Sequence, residues 1–357
     1  MVRDKESGTV DIKKGYRLIL IAASCSFILT SCGLQNENDS VVIEKKNKKI
    51  TVLTKNEEVV TNELALEKID RYEGIRGTDW LNEDTLLIEE KNTQMPKTAM
   101  TDDGQYVYHV NLFSYDLRTK TANVISGEES GQIGAIISPD KKHIFYKQSI
   151  DGTTGTGYII DLDSKKKVKV TDVDKIFAFS TEGRWINNQT IIFPTIDQQM
   201  FSADVNGKVT KIDPNKDVIN VLKKKFDGLR VEWVIPSPNH KKFVVVRKIS
   251  QTKRELLITD ASGKKTVSLA KGTQIFGSSW SPNSKTIAFS VISEDKGERG
   301  LFVIDVNTKK ITQLSTDLDE ISGPITWSPS GKKLLVSKVI TKNNKNEFVA
   351  YVLTLKN

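Results

Sequence analysis

One short pattern recurs six times along this chain of 357 residues. Each copy has an apolar residue or a tryptophan, then a short polar turn, then a run of β-forming residues. The copies begin at Trp80, Ile137, Trp185, Pro236, Trp280 and Trp327, at intervals of 44 to 57 residues. Several of the turns read Ser-Pro-Asn or Ser-Pro-Ser-Gly, in which proline fixes φ and Asn or Gly tolerates a positive φ. Each copy therefore predicts a strand, a tight turn and a second strand.

A second pattern lies within the same period. An aspartate follows an apolar strand and stands four residues before a lysine, in the pairs Asp116 and Lys120, Asp161 and Lys165, Asp204 and Lys208, Asp260 and Lys264, and Asp305 and Lys309. These segments are typical of hairpin turns between two further strands. Each repeat is therefore expected to form one four-stranded sheet, and sheets at this period pack radially as propeller blades. The prediction is an all-β chain folded as a six-bladed β-propeller.

The ends of the repeat region indicate how the ring closes. The sixth repeat stops at Asn357, where the other repeats turn into their outermost strand. A spare strand, 49–54, precedes the first repeat. We therefore expect an N-terminal strand to complete the last blade, and the strand at 49–54 is the one that the sequence suggests.

The N-terminus resembles an export signal. Arg3, Lys5, Lys13 and Lys14 precede the apolar run 16–29, which is shorter than the roughly 20 residues that span a bilayer. The run ends in Leu29-Thr30-Ser31-Cys32-Gly33, which resembles the lipobox of bacterial lipoproteins. That resemblance implies cleavage before Cys32 and a lipid on its thiol. Cys25 fits less well, because Ala22 stands three residues before it and the apolar run continues past it.

Three segments are expected: a lipoprotein signal peptide at 1–31, a polar lipid-anchored tether at 32–48, and the propeller at 49–357. The two cysteines, Cys25 and Cys32, leave the mature chain no disulfide, since the only remaining thiol would be alkylated. A domain of this length stabilises itself through its core. Two acyl chains, at about 0.8 kcal/mol per buried CH₂, would hold it on the outer side of the cell membrane.

The formal net charge of +8 suits work near anionic envelope polymers or lipid headgroups. Lysines cluster at 45–49, 165–169 and 223–225, as is typical of solvated turns and edges, but they form no dense basic patch, so nucleic acid is not expected as a partner. The expected partners are the membrane, through Cys32, and an envelope protein or a cell-wall polymer. The propeller itself is expected to be a monomer.

The phrases Trp280-Ser-Pro-Asn, Trp327-Ser-Pro-Ser and Ile137-Ser-Pro-Asp resemble the WD-like repeats of the TolB propeller family. With the lipobox, the chain is similar to the YqgU-type propeller lipoproteins of Gram-positive bacteria. The resemblance covers residues 49–357 and implies the fold, because the matching residues build turns and blade contacts. The first and third repeats depart from it, with Leu-Asn and Ile-Asn in place of Ser-Pro.

No catalytic, cofactor-binding or metal-binding residue is predicted. The three histidines, His109, His143 and His240, form no zinc pattern, and Gly277-Ser278-Ser279-Trp280-Ser281 lacks the second glycine of a nucleophile elbow. Gly263-Lys264-Lys265-Thr266 lacks the upstream glycine of a phosphate loop. The acidic stretches at 161–163 and 317–320 indicate turn capping rather than calcium. Four tryptophans stand at repeat-linked positions, which favours packing between blades over sugar stacking.

The Ser-Pro turns and the Asp-x-x-x-Lys turns must share one face of a propeller, and the irregular connections lie on the other. These are 91–104, 151–157, 248–254, 292–299 and a short helix at 216–226. Binding surfaces concentrate in such loops, so this loop face and the mouth of the channel form the site hypothesis. The first functional hypothesis is a non-enzymatic interaction module. An enzyme acting on wall glycan, a lyase or hydrolase at the channel mouth, and a ligand-sensing subunit remain alternatives.

Overall fold

The computed structural model describes residues 40–44, 49–53, 64–100, 104, 106–149, 154–170, 176–177, 183–194, 200–212, 216–225, 230–293, 299–342 and 345–356. The chain divides into two units, Met1–Glu37 and Asn38–Asn357, and every described residue belongs to the second. Cys32 and the whole lipobox therefore lie outside the described residues.

Three strands precede the repeats. They are β1 (Ser40–Glu44), β2 (Lys49–Leu53) and β3 (Ala65–Glu73). β1 and β2 pair antiparallel as a hairpin, so part of the predicted tether is a strand.

Six antiparallel blades follow, and in the first five the strands of the four-stranded sheet neighbour one another in chain order. Blade 1 holds β4 (Arg76–Asn82), β5 (Thr85–Lys91), β8 (Val110–Asp116) and β9 (Thr121–Ser126), while β6 (Ala99–Met100) and β7 (Tyr106–Val107) pair within its long connection. Blade 2 holds β10 (Gln132–Ile137), β11 (His143–Ser149), β12 (Thr154–Asp161) and β13 (Lys167–Lys169), and β14 (Ile176–Phe177) also pairs with β12. Blade 3 holds β15 (Arg184–Trp185), β16 (Thr190–Pro194), β17 (Met200–Asp204) and β18 (Val209–Lys211), and α1 (Lys216–Lys225) follows it.

Blade 4 holds β19 (Arg230–Pro236), β20 (Lys242–Lys248), β21 (Arg254–Asp260) and β22 (Thr266–Gly272). Blade 5 holds β23 (Gln274–Trp280), β24 (Thr286–Ile292), β25 (Gly300–Asp305) and β26 (Ile311–Ser315). Blade 6 holds β27 (Thr326–Trp327), β28 (Lys333–Lys342), β29 (Lys345–Lys356) and, as its outermost strand, β3. The fold is the predicted six-bladed β-propeller, closed by an N-terminal strand.

The second strand of each blade is buried on both faces, because each blade packs between two others. In β5, Leu86, Leu87 and Ile88 are fully buried, although neighbouring side chains of a strand point in opposite directions. Leu86 and Ile88 belong to the core shared with blade 6, whereas Leu87 belongs to the core shared with blade 2. This explains why the second strands read as continuous apolar runs.

Hydrophobic clusters fill the seams between neighbouring blades, and the seam between blades 3 and 4 differs from the rest. There, Leu222 of α1 is fully buried against Val245 and Leu257 of blade 4. The helix that the sequence predicts at 216–226 is thus confirmed. It contributes a core side chain to the ring.

The repeat-linked tryptophans join blades, as the sequence predicts. Each indole Nε1–H donates to a carbonyl on the first strand of the preceding blade, at the residue just before the matching repeat position. The pairs are Trp80 to Thr326 at 3.2 Å, Trp185 to Ile136 at 3.2 Å, Trp280 to Ile235 at 3.1 Å and Trp327 to Ser279 at 3.4 Å. Four of the six seams therefore carry the same directional bond. The seam between blades 1 and 2 and the seam between blades 3 and 4 have no such bond, because Ile137 and Pro236 stand at the tryptophan position.

The closing strand is β3, and the prediction that 49–54 closes the ring was wrong. β3 pairs with β29 from Glu73 opposite Val349 to Ala65 opposite Lys356. β2 pairs with β1 and lies beside β26 of blade 5 instead. The seam between blades 6 and 1 is also bonded on the turn side, where the Lys333 Nζ donates to the Glu83 carbonyl at 2.8 Å.

The Asp-x-x-x-Lys segments form the predicted hairpin turns, and their aspartates cap them. The Asp116 carboxylate accepts from the backbone N–H groups of Arg118 and Thr119, both at 2.8 Å. These bonds hold the pKa of Asp116 below its ordinary value. Asp161 caps its turn in the same way, which confirms turn capping at 161–163. Lys120, the last residue of its turn segment, adopts a positive φ of 59°. In the turn that begins at Asp204, the residue with the positive φ is Gly207.

Candidate functional site

The first strands of all six blades surround a central cavity of about 1090 Å³. Such a volume lies at the upper end of the range for ligand sites, roughly 300–1,000 Å³. Turn residues such as Pro139, Pro238, Pro282 and Pro329 line it, so it reaches the face that carries the Ser-Pro turns. The described parts of the five irregular connections do not line it. The site hypothesis named the loop face together with the mouth of the channel, and this cavity lies in the channel.

Four hydroxyl groups in the wall of this cavity have no hydrogen-bond partner. They belong to Ser278 and Ser279 of blade 5 and to Ser322 and Thr326 of blade 6. Ser278 is only 4% exposed, and each of the four oxygens is itself buried. A buried hydroxyl without a partner costs about 1–3 kcal/mol, so native proteins seldom leave one in place. These oxygens have no accessible surface on the cavity side, so they lie behind its wall and offer no contact to a ligand in it.

Local backbone geometry sets these hydroxyls in place. The pairing of β23 with β24 shifts register between Phe276 and Ser279, and Gly277 within this bulge has a φ of 59°. A Cβ at Gly277 would come within 2.5 Å of the Ile321 side chain, so both the conformation and the close approach favour glycine. The bulge re-aims the serines relative to a regular strand. In sequence, the segment 277–281 shows only that it lacks the second glycine of a nucleophile elbow.

Basic side chains lie on one arc of the channel. Lys141 and Arg184 belong to blades 2 and 3 and line the cavity, and His240 of blade 4 and one carboxylate, Asp79 of blade 1, line it as well. Blades 2 and 3 stand across a six-bladed ring from blades 5 and 6, whose lining residues are uncharged.

Asp79 ties blade 1 to blade 2, where the tryptophan bond is missing. Its carboxylate accepts from Trp80 N at 2.7 Å and from Ile137 N at 3.1 Å. Desolvation raises the pKa of Asp79, and the Lys141 cation and the two N–H groups oppose that shift without cancelling it. A single acid of this kind can hold a proton at a pH where ordinary aspartates are ionised.

Aromatic surface is also open to the channel. Phe276 is 37% exposed, whereas Trp185 and Trp233 are partly buried lining residues that also pack on interblade clusters.

The other sequence candidates behave as structural groups where the structure describes them. His143 lies 3.3 Å from Asp161, and Asp319 is buried against Arg299. Burial raises the pKa of Asp319, but the Arg299 bond, the Glu320 N–H and the Lys338 cation outweigh it and leave that pKa lowered. In the part of the chain that the structure describes, no three His, Cys, Asp or Glu residues cluster as metal ligands would. No described helix has the length and apolarity to cross a bilayer.

No protein-family model matches the chain, and no curated protein matches it in sequence. Solved structures do match in fold. TolB from Acinetobacter baumannii superposes with a TM-score of 0.50 at 16% identity, over 76% of this chain and 63% of that one. An oligogalacturonate lyase from Vibrio parahaemolyticus superposes with a TM-score of 0.52 at 11% identity, over 88% and 96% of the two chains.

At these identities the similarity concerns the fold alone. The chain spans 63% of the length of that TolB. The protein is a six-bladed β-propeller, and its fold is TolB-like.

Proposed function

We propose that this protein is a lipid-anchored lipoprotein on the outer side of the cell membrane, of the YqgU type, whose propeller is a non-enzymatic binding module for a cell-wall polymer. The observation that carries the proposal is the channel cavity of about 1090 Å³, which is large enough for several units of a polymer. The basic side chains on one arc of the channel suit the anionic polymers of a cell envelope.

The anchor is supported by the sequence 29–33, which has the lipobox pattern after an apolar run of signal-peptide length. Metabolic labelling of the full chain with an alkyne analogue of palmitate tests it. Wild type and Cys25→Ala are expected to incorporate the label, while Cys32→Ala loses it. Label that persists in Cys32→Ala, or disappears in Cys25→Ala, would place the lipid elsewhere.

The binding role is tested by crosslinking in intact cells, followed by purification of the full chain and analysis of both protein and wall fragments. A matched pair of variants separates the two faces: Lys141→Asn in the channel and Lys253→Asn in the 248–254 connection. Asn suits position 141 because it tolerates the φ of 63° found there. Wall fragments should co-purify with wild type and Lys253→Asn and fall with Lys141→Asn. Capture of one envelope protein, lost only in Lys253→Asn, would instead indicate a protein partner at the loop face.

One observation favours the enzymatic alternative, a wall-glycan lyase or hydrolase. Asp79 is an acid with a raised pKa in the cavity, and the charge of nearby Lys141 opposes part of that rise. An oligogalacturonate lyase also uses this fold. Incubation of wild type and Asp79→Asn with wall fragments distinguishes the roles, because an enzyme would shorten the fragments and Asp79→Asn would not. Under the binding proposal both proteins leave them intact.

A further inference from the structure

The turn face of the propeller is the end that carries the Ser-Pro turns and the Asp-x-x-x-Lys turns. In blade 4 the two kinds of turn lie side by side, since Lys242 stands opposite Asp260. We infer that the half of this face formed by blades 4 to 6 docks on the surface of a bilayer that contains anionic lipids. The inference goes beyond the proposed binding role and rests on the proposed lipid anchor.

Charge is divided unevenly between the two halves of the turn face. The turns of blades 4 to 6 hold nine lysines and two aspartates, whereas those of blades 1 to 3 hold seven cations and seven anions. The first set of turns is 237–242, 260–265, 281–286, 305–310 and 328–333. The second set is 81–85, 116–120, 138–143, 161–166, 186–190 and 204–208. The sequence predicts no dense basic patch because these lysines stand in separate segments, but the fold gathers nine of them on three neighbouring blades, as a lysine patch.

The two aspartates of the lysine patch bond within their own turns. Asp260 accepts from the Ser262 hydroxyl at 2.8 Å. Asp305 accepts from the backbone N–H of Asn307 at 2.8 Å. Six lysines of the patch are exposed and form no ion pair with a described acidic residue. They are Lys241, Lys264, Lys265, Lys285, Lys309 and Lys332.

Contacts between turns make the lysine patch one continuous surface. Asn239 N donates to Ser284 Oγ at 3.2 Å, which joins the Ser-Pro turns of blades 4 and 5. The Lys225 Nζ donates to the carbonyl of Lys264, so the C-terminal end of α1 lies against the patch. The exposed Lys224 on this helix adds a further cation.

The chain enters the propeller beside the lysine patch. β3 begins at Ala65, which lies opposite Lys356 at the turn end of blade 6. The preceding residue of β29, Leu355, donates its N–H to the Lys332 carbonyl at 2.8 Å. A lipid on Cys32 would therefore tether the propeller through the end that carries the patch. This position favours a bilayer over a soluble polymer as the partner of the patch.

The docking is expected to be electrostatic. The large apolar side chains that are exposed in the described part of the chain, Val124, Ile249, Phe276 and Val339, all lie outside the turns of the patch. Each lysine that reaches an anionic surface strengthens binding roughly 5-fold, and salt screens the attraction. Such a contact becomes effective once an acyl anchor holds the protein at the bilayer. Because the turns of blades 1 to 3 have no net charge, their side of the channel mouth stays accessible to a wall polymer.

Thiol alkylation of the lipidated full chain, reconstituted in vesicles, tests the inference. Three exposed positions serve as single-cysteine reporters in a Cys25→Ala background: Ala261→Cys in the lysine patch, Asn188→Cys in the turns of blades 1 to 3 and Ser250→Cys on the loop face. Addition of phosphatidylglycerol to phosphatidylcholine vesicles should slow alkylation of Ala261→Cys by at least about 5-fold and leave the other two unchanged. Salt at about 1 M should restore the rate, because the Debye length is then about 3 Å.

Removal of three lysines from the patch should abolish this protection. The triple variant Lys241→Gln, Lys265→Gln and Lys332→Gln takes away exposed cations that form no ion pair with a described residue. Ala261→Cys should then react at the same rate on both kinds of vesicle. The melting midpoint should equal that of wild type, which separates lost docking from misfolding.

The control removes the same charge from the other half of the turn face. The triple variant Lys142→Gln, Lys166→Gln and Lys208→Gln also replaces exposed lysines that form no ion pair with a described residue. It should keep the protection of Ala261→Cys. Equal loss of protection in the two triple variants would show that net charge alone draws the protein to the bilayer, and it would overturn the inference.

The remaining outcomes separate the docking from the anchor. If the chain stays on both kinds of vesicle while Ala261→Cys reacts equally on both, the docking fails and the proposed anchor stands. Loss of the chain from both kinds of vesicle would remove the anchor and the docking together. Protection of Ser250→Cys instead would place the loop face on the bilayer. Protection of Ala261→Cys by soluble wall fragments, with none from phosphatidylglycerol, would assign the patch to the wall polymer.

Discussion

The serines of the Ser-Pro turns show how a single side chain sets the end of a blade. In blade 5 the Ser281 Oγ accepts from Thr286 N at 2.9 Å and donates to Asn283 Oδ1 at 2.8 Å. The matching serines of blades 2, 4 and 6, Ser138, Ser237 and Ser328, make equivalent bonds to the residue five positions on. All four are buried, at 0–2% exposure. The serine hydroxyl therefore accepts a hydrogen bond from a backbone N–H group that is too buried to bond to water.

Ser281→Ala is expected to lower the free energy of unfolding by about 1–3 kcal/mol, because Thr286 N is left buried without this acceptor. Chemical denaturation of the full chain measures the change. Ser262→Ala, which alters an exposed turn serine that contacts Asp260, should stay within about 0.5 kcal/mol of wild type. Equal effects in the two variants would show that the buried acceptor contributes nothing beyond an exposed one.

Asp79 predicts a pH dependence of stability. Its pKa in the folded protein is raised above the unfolded value of about 3.9, so the folded state keeps a proton that the unfolded chain has released. The contribution of Asp79 is therefore complete at low pH and is lost as pH rises through the folded pKa. Asp79→Asn should flatten that part of the profile, measured as denaturation midpoints from about pH 4 upward. Parallel profiles for the two proteins would contradict the raised pKa.

At the scale of single residues, the sequence predicts the hydrogen bonds between residues that are close along the chain. Turn aspartates and Ser-Pro serines bond within five residues, so their roles follow from spacing. The partnerless hydroxyls of Ser278 and Thr326 could not be predicted, because their state depends on a bulge in one blade and on the neighbouring blade.

Among the elements, α1 supports the seam between blades 3 and 4. This seam lacks the indole bond, since Pro236 stands where other blades have tryptophan. Leu222→Ala is expected to cost about 2–5 kcal/mol, because a fully buried side chain against Val245 and Leu257 leaves a cavity.

Lys224→Ala is the matched control, as it lies on the same helix with its side chain exposed. It should change stability by less than about 0.5 kcal/mol. Denaturant titration of both variants decides whether the helix is a structural part of the ring. A small effect from Leu222→Ala would show that the seam between blades 3 and 4 is stable without the contribution of α1.

The closing strand can be tested by deletion. Removing 64–73 leaves β29 without its outer partner and takes away Leu66 and Ile69, which pack on the core between blades 5 and 6. Cooperative unfolding should be lost and aggregation should rise. Removing 40–53 should preserve a cooperative transition. The reverse result would restore the strand at 49–54 as the closure.

The sequence suggested the wrong closing strand for a physical reason. β3 is an outermost strand with one open edge, and five of its nine residues are charged. Lys49-Ile-Thr-Val-Leu53 has the stronger β propensity, but propensity reports fit to a pleated surface and not which edge is free. The missing fourth strand of blade 6 was predictable, whereas its identity depended on pairing over the whole chain.

At the scale of the molecule, the number of blades follows from the repeat alone, because a sheet that is apolar on both faces needs a neighbour on each side. The cavity does not follow from the repeat. Irregular loops suggested the loop face and the channel mouth, while the cavity is built from first strands that look regular in sequence. A channel site gathers one or two residues from each blade, and no single segment carries its pattern.

The most direct test of the channel as the binding site is the rate of thiol alkylation in the presence and absence of soluble wall fragments. Two single-cysteine reporters are needed, Phe276→Cys in the channel and Ser250→Cys on the loop face, both at exposed positions. Our account predicts that fragments slow alkylation several-fold for Phe276→Cys and leave Ser250→Cys unchanged. Protection of Ser250→Cys alone would contradict it and move the site to the loop face.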